Sequence, residues 1–179
     1  MSGIYKRVLG MFILGTLFAL SQNTAYAQAD KAVVAEKDGD VGNKKTMNTD
    51  VTLYRNGRMV ISTYSRSRHL TEGLRGRLYV VCVDGKGNAI WATEPDKCTT
   101  RGSKGDLFTE SAGSNTFDHD IPAAVAKATD KIDIYHSTDD LDGAYQKMVE
   151  NIIKTVKDSK DIVVEVRDAV LEVLSKKKK

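Results

Sequence analysis

Apolar residues fall along this chain in distinct spacings, and each spacing predicts a different element. The first is a continuous run, Val8–Leu20, of 13 residues interrupted only by Gly10, Gly15 and Thr16. Lys6 and Arg7 precede it, and Ser21–Asn23 lead from it to Ala25-Tyr26-Ala27. A basic start, a short apolar stretch and small residues at −3 and −1 form the pattern of a cleavable secretory signal, because the shallow pockets of signal peptidase accept only small side chains. The run falls short of the roughly 20 apolar residues that a membrane-spanning helix needs. The reading is a signal peptide over residues 1–27 and a mature chain that is exported, periplasmic or secreted, with no transmembrane segment after cleavage.

Strand-like spacing comes next. Val51, Leu53 and Tyr54 precede Asn56-Gly57, and Met59, Val60, Ile61 and Tyr64 follow. Asn-Gly suits a type I′ turn, in which both central residues take positive φ, so residues 50–65 are expected to form a hairpin. Leu78–Val83 is unbroken apolar sequence, the mark of a strand covered on both faces. It should turn through Asp84–Gly87 and return over Asn88–Thr93, with Val83 opposite Asn88 and Val81 opposite Ile90. Ser114–Ile121 reads as a short strand, Ala123–Thr129 as a small helix with Pro122 at its first turn, and the alternating Lys131–His136 as a half-buried strand.

The C-terminal quarter has helical spacing. Leu141, Ala144, Tyr145, Met148, Val149, Ile152, Ile153 and Val156 make one apolar stripe, with Ser137 or Thr138 as its expected cap. Asp158-Ser159-Lys160 can break it, with Ser159 capping a second helix over 161–175 whose inward residues would be Val163, Val166, Val170, Val173 and Leu174. Strands first and helices last predict an α+β fold: a small, mainly antiparallel sheet, with hairpins at about 50–65 and 77–93, covered by a C-terminal amphipathic helix or helix pair. Residues 28–48 carry few large apolar groups and read as a flexible leader. Residues 49–179 then form a single domain with a helical segment over 139–176.

Composition narrows this picture without changing it. Removing 27 of 179 residues leaves 152, enough for one domain with a real core. The mature chain holds 25 basic and 24 acidic residues, which gives no reason to expect a nucleic-acid partner. Cys82 and Cys98 are the only cysteines, and in an oxidising compartment an even pair predicts a disulfide.

Candidate chemistry is thin. No catalytic or cofactor motif stands out, and neither a cofactor nor a metal is expected. Arg55, Arg58, Arg66, Arg68, Arg75 and Arg77 cluster in a stretch whose only acid is Glu72. They are candidates for binding an anionic glycan or lipid surface, because arginine makes bidentate contacts with such oxygens. The alternative is mutual neutralisation by the acid-rich stretch 106–142. Asp118-His119-Asp120 resembles a ligand cluster, but on a strand His119 points away from its neighbours, and His69 and His136 would have to converge from elsewhere. Asp133 with Glu110 or Asp118 could pair carboxylates for glycoside cleavage. There is no G-x-S-x-G elbow, and the loop Thr100–Asp106 lacks the phosphate-loop spacing.

The long apolar stripe suggests that Met148 and Ile152 contact another envelope or secreted protein. The functional expectation is an exported, non-enzymatic binding or interaction protein. The alternatives are a small secreted hydrolase with its site near the 94–120 loop, and a membrane-surface effector using the C-terminal helix and its Lys176–Lys179 tail.

Overall fold

A computed structural model describes residues 31–42, 44–68, 73–100, 111–139, 141–160 and 162–176. The expected signal peptide, His69, residues 101–110 of the expected loop and the last three lysines lie outside the described residues.

Alternation builds the first sheet. Strands β1 (Lys31–Asp40), β2 (Lys45–Tyr54) and β3 (Arg58–Ser67) follow one another, and β7 (Ser111–Asp120) completes the order β1-β2-β3-β7. Odd-numbered residues of β2 and β3 face inward. Met47, Val51, Leu53, Met59 and Ile61 are fully buried, and the Thr49 and Thr63 hydroxyls satisfy each other at 2.9 Å. Even-numbered residues face outward, and on β7 every one of them is exposed.

The strand β1 corrects the expected leader. Its side chains bury little, with Val33 and Ala35 only packed against the margin of the core. Backbone pairing with β2 holds it instead, a contribution that side-chain composition does not reveal.

The hairpin turn also differs from expectation. Val51 pairs with Ile61 and Leu53 with Met59, so three residues, Arg55-Asn56-Gly57, form the loop. Gly57 takes φ 100° and donates to the Tyr54 carbonyl at 3.0 Å, while Asn56 has no positive φ. This is a three-residue loop ending in a left-handed glycine, not a type I′ turn. The observed register sets apolar residues opposite each other on one face, and a one-residue slip would turn one strand's set outward.

The second sheet forms around β4 (Arg75–Asp84). Strand β8 (Thr129–Ser137) lies along one edge, and β5 (Ala89–Ala92) and β6 (Asp96–Thr99) share the other. Thr93 spans the break between β5 and β6: its N–H donates to the Val80 carbonyl at 2.9 Å, and its hydroxyl accepts the Val80 N–H at 3.0 Å. The β4–β5 register differs from expectation as well, with Val83 opposite Ala89 and Val81 opposite Ala92 across a bulge. The Asp84 carboxylate accepts the N–H groups of Lys86 and Asn88, and Gly87 sits at φ 84°, which closes a longer loop.

The fold is α+β, as the pattern indicates, but with two four-stranded antiparallel sheets where one was expected. All six residues from Leu78 to Val83 are buried. A side chain at Gly76 would strike Met47 of the first sheet, while Tyr79 meets the Tyr145 ring edge-on at 6.1 Å on the helical side. So β4 lies between the first sheet and the helices.

Those helices are α1 (Ala123–Ala128), α2 (Asp142–Asp158) and α3 (Val164–Lys176). Tyr145, Val149, Ile152 and Val156 of α2 and Val166, Val170 and Leu174 of α3 are buried. Val163, expected inward, precedes α3 and is 62% exposed. Leu141, not Ser137 or Thr138, takes the N-cap position of α2, and Ser159 ends α2 rather than starting α3. The guanidinium of Arg167 donates to the carbonyls of Val156 at 3.2 Å and Ser159 at 2.6 Å. This side chain satisfies the carbonyls that a helix end leaves open and holds the two helices as a bent pair.

Candidate functional site

The outward face of the first sheet carries a concavity. A groove of about 700 Å³ is lined by Asp40, Lys44, Thr46, Asn48, Arg66 and Arg68. Register explains the set: Thr46 lies opposite Arg66, Asn48 lies opposite Tyr64, and the Arg68 N–H donates to the Lys44 carbonyl at 3.0 Å. Lys44 takes φ 59° in the turn after β1, which brings its side chain beside the end of β3. The Asp40 carboxylate accepts the Gly42 N–H at 2.8 Å and stiffens that turn. The Arg66 guanidinium lies 5.6 Å over the Tyr64 ring, within cation–π range. Among the described residues three cations and one acid line the groove, and Arg66 and Arg68 also make further interactions within the chain.

The six arginines therefore do not form one surface. Arg66 and Arg68 share the groove. Arg58 is held by Asp118 in a two-bond fork at 3.0 and 3.3 Å, and Arg77 approaches Asp142 at 3.5 Å. Arg55 is exposed in the hairpin loop, and Arg75 is exposed at the start of β4. The expected neutralisation by the acid-rich stretch applies to Arg58 and Arg77. Lys44, Asp40, Thr46 and Asn48 were not singled out from the sequence, because they fall in the stretch read as leader. Extending the period-two alternation of β2 back to residue 44 reaches Lys44, Thr46 and Asn48, whereas Asp40 ends β1.

The cysteines are free and buried. Cys98 lies opposite Gly76 and Cys82 opposite Trp91, six residues apart along β4. At about 3.3 Å per residue that is roughly 20 Å, far beyond the ~7 Å that a disulfide can span. The expected bridge is therefore corrected. Burial pushes both thiols up to about 12, which holds them protonated and unreactive.

Among the described residues both histidines, His119 and His136, have a partner. His119 Nε2 lies 2.7 Å from Asp96 Oδ2, and His136 Nε2 lies 2.9 Å from Thr49 Oγ1. Burial, with the charge of Lys37 adding to it, lowers His136 to about 4. Asp118 and Asp133 are each engaged by a cation, Arg58 and Lys131 respectively, and they sit on different sheets. Among the described residues no three His, Cys, Asp or Glu side chains gather as a ligand set.

Ile152 is fully buried and Met148 packs against the core, so the stripe expected to meet a partner meets the second sheet instead. No described helix is long and apolar enough to cross a membrane.

No family model matches the chain, and no curated protein matches its sequence. Among solved structures, a DUF1425 family member from Shewanella sp. pv-4 shows 9% identity and a TM-score of 0.28 over 57% of this chain and 94% of that one. A likeness that distant carries no argument.

Proposed function

We propose that this chain is an exported, non-enzymatic binding protein that holds an anionic ligand in the groove of Lys44, Arg66 and Arg68. The groove itself carries the reading: it is concave, it lies on a sheet face open to solvent, and among the described residues of its lining cations outnumber acids. Two arginines and a lysine around one cavity suit an oxyanion, because the guanidinium fork and the ammonium donate charge-assisted hydrogen bonds to it. The signal-like pattern over 1–27 supports export.

Calorimetric titration with inorganic sulfate, phosphate and sulfated oligosaccharides, at low and high salt, tests the reading. The chain should bind at least one of them in a salt-sensitive manner. The double variant Arg66→Gln, Arg68→Gln should lose that binding while keeping its circular dichroism spectrum. Equal binding by the folded double variant would reject the groove as the site.

A further inference from the structure

We infer that the ligand is an anionic saccharide, with its charged group held by Lys44, Arg66 and Arg68 and its sugar ring lying along the row Asn48–Tyr64–Ser114. This rests on the groove reading above and adds the chemical class of the ligand.

The row follows from two registers. Asn48 is opposite Tyr64 across β2 and β3, and Tyr64 is opposite Ser114 across β3 and β7. All three are exposed, Tyr64 at 41%, and all three alternate in phase with Thr46 and Arg66. They therefore share the face into which the groove opens, one step along the strands from Arg66.

Chemistry distinguishes a saccharide from a bare anion. A bare anion needs only the cations. Beside them stand an amide and a hydroxyl that both donate and accept, which matches the dense hydroxyls of a sugar. An exposed tyrosine between them offers a flat amphipathic surface to a sugar's C–H face and a hydroxyl at its tip. The Tyr64–Arg66 contact joins the two halves, because it sets the guanidinium beside the ring at 5.6 Å. A lipid headgroup shares the anionic chemistry. Membrane binding, however, favours apolar side chains that insert beside the charges, and Asn48, Ser114 and Thr46 around this groove are polar.

The experiment titrates the full-length chain with a sulfated oligosaccharide, its desulfated counterpart, inorganic sulfate and vesicles of anionic phospholipid. Wild type, Tyr64→Ala, Asn48→Ala and Arg68→Gln are compared after circular dichroism shows each to be folded. The sulfated oligosaccharide should bind, and desulfation should weaken it about tenfold or more, the loss expected for a charge-assisted contact. Tyr64→Ala and Asn48→Ala should weaken the oligosaccharide several-fold and leave inorganic sulfate unchanged. Sulfate or vesicles bound as tightly as the oligosaccharide, or indifference to both the Tyr64 and Asn48 changes, would overturn the saccharide while leaving the basic groove intact. Failure of Arg68→Gln to weaken any of the four would remove the groove reading itself.

Discussion

His119 on β7 and Asp96 at the start of β6 lie 2.7 Å apart, and this contact clasps one sheet to the other. Both side chains are mostly buried, at 21% and 15% exposure, so water screens the contact little. On the opposite margin, His136 of β8 bonds Thr49 of β2, and the Lys37 ammonium of β1 donates to the Ile134 carbonyl at 2.6 Å. The two sheets are thus held at both margins by polar contacts around an apolar centre.

Removing the first clasp should destabilise the fold without altering its shape. His119→Ala and Asp96→Ala are each expected to cost about 1.5–3 kcal/mol, the range for a hydrogen bond to a charged group. Urea unfolding should show a lower midpoint at unchanged slope. The double variant should cost less than the two singles together, because both break the same contact. Additive losses would mean that the two side chains act separately.

The second histidine should make stability depend on pH. His136 is lowered to about 4 in the folded chain from an ordinary 6.5, chiefly by burial. Below pH 6.5 the unfolded chain binds a proton there that the folded chain refuses. Stability from this group is therefore complete above pH 6.5 and is lost as pH falls toward about 4. Allowing for screening at a partly exposed ring, the loss is about 1–2 kcal/mol. Thermal melts across that window should fall less steeply for His136→Gln than for wild type. Identical slopes would remove His136 as the cause.

Two glycines in the two hairpin loops should respond unequally to alanine. At Gly57 a Cβ would lie 2.1 Å from the Ile121 carbonyl oxygen, on a backbone already at φ 100°. Gly57→Ala should therefore cost more than about 2 kcal/mol, since neither the carbonyl nor the turn can yield cheaply. At Gly85 nothing lies within 4 Å of the added carbon, and Gly85→Ala should change stability by less than about 1 kcal/mol. Chemical unfolding of both variants checks the contrast, and equal effects would contradict the loop geometry.

Thiol titration tests the separation of the cysteines. With no reductant present, the native chain should react slowly with a thiol reagent, because both sulfurs are buried. The unfolded chain should then yield two thiols, matching its two cysteines. No thiols on unfolding would mean a bridge between Cys82 and Cys98, and with it a different pairing of β6 on β4.

The sequence by itself determined whatever depends on neighbours a few positions away. The alternation through Val51, Leu53, Met59 and Ile61 marked two strands with one inward face, and they pair as such. The stripe from Tyr145 to Val156 marked a helix, and its apolar side is the buried one. The run Leu78–Val83 marked a strand covered on both faces, which β4 is. Tertiary structure decided the rest, because it depends on which distant segments pair. Strand β1 is held mainly by backbone hydrogen bonds to β2, and those leave little trace in side-chain composition. Only once β1 is in place does the turn at Lys44 close against Arg68 and bring Asp40, Lys44 and Arg66 around one groove. Likewise, sixteen residues separate Cys82 from Cys98 in sequence, but β5 and β6 share one edge of β4 and set them roughly 20 Å apart. Local periodicity is set by the pitch of each element, whereas the groove and the cysteine spacing are set by strand order, which no single stretch of sequence carries.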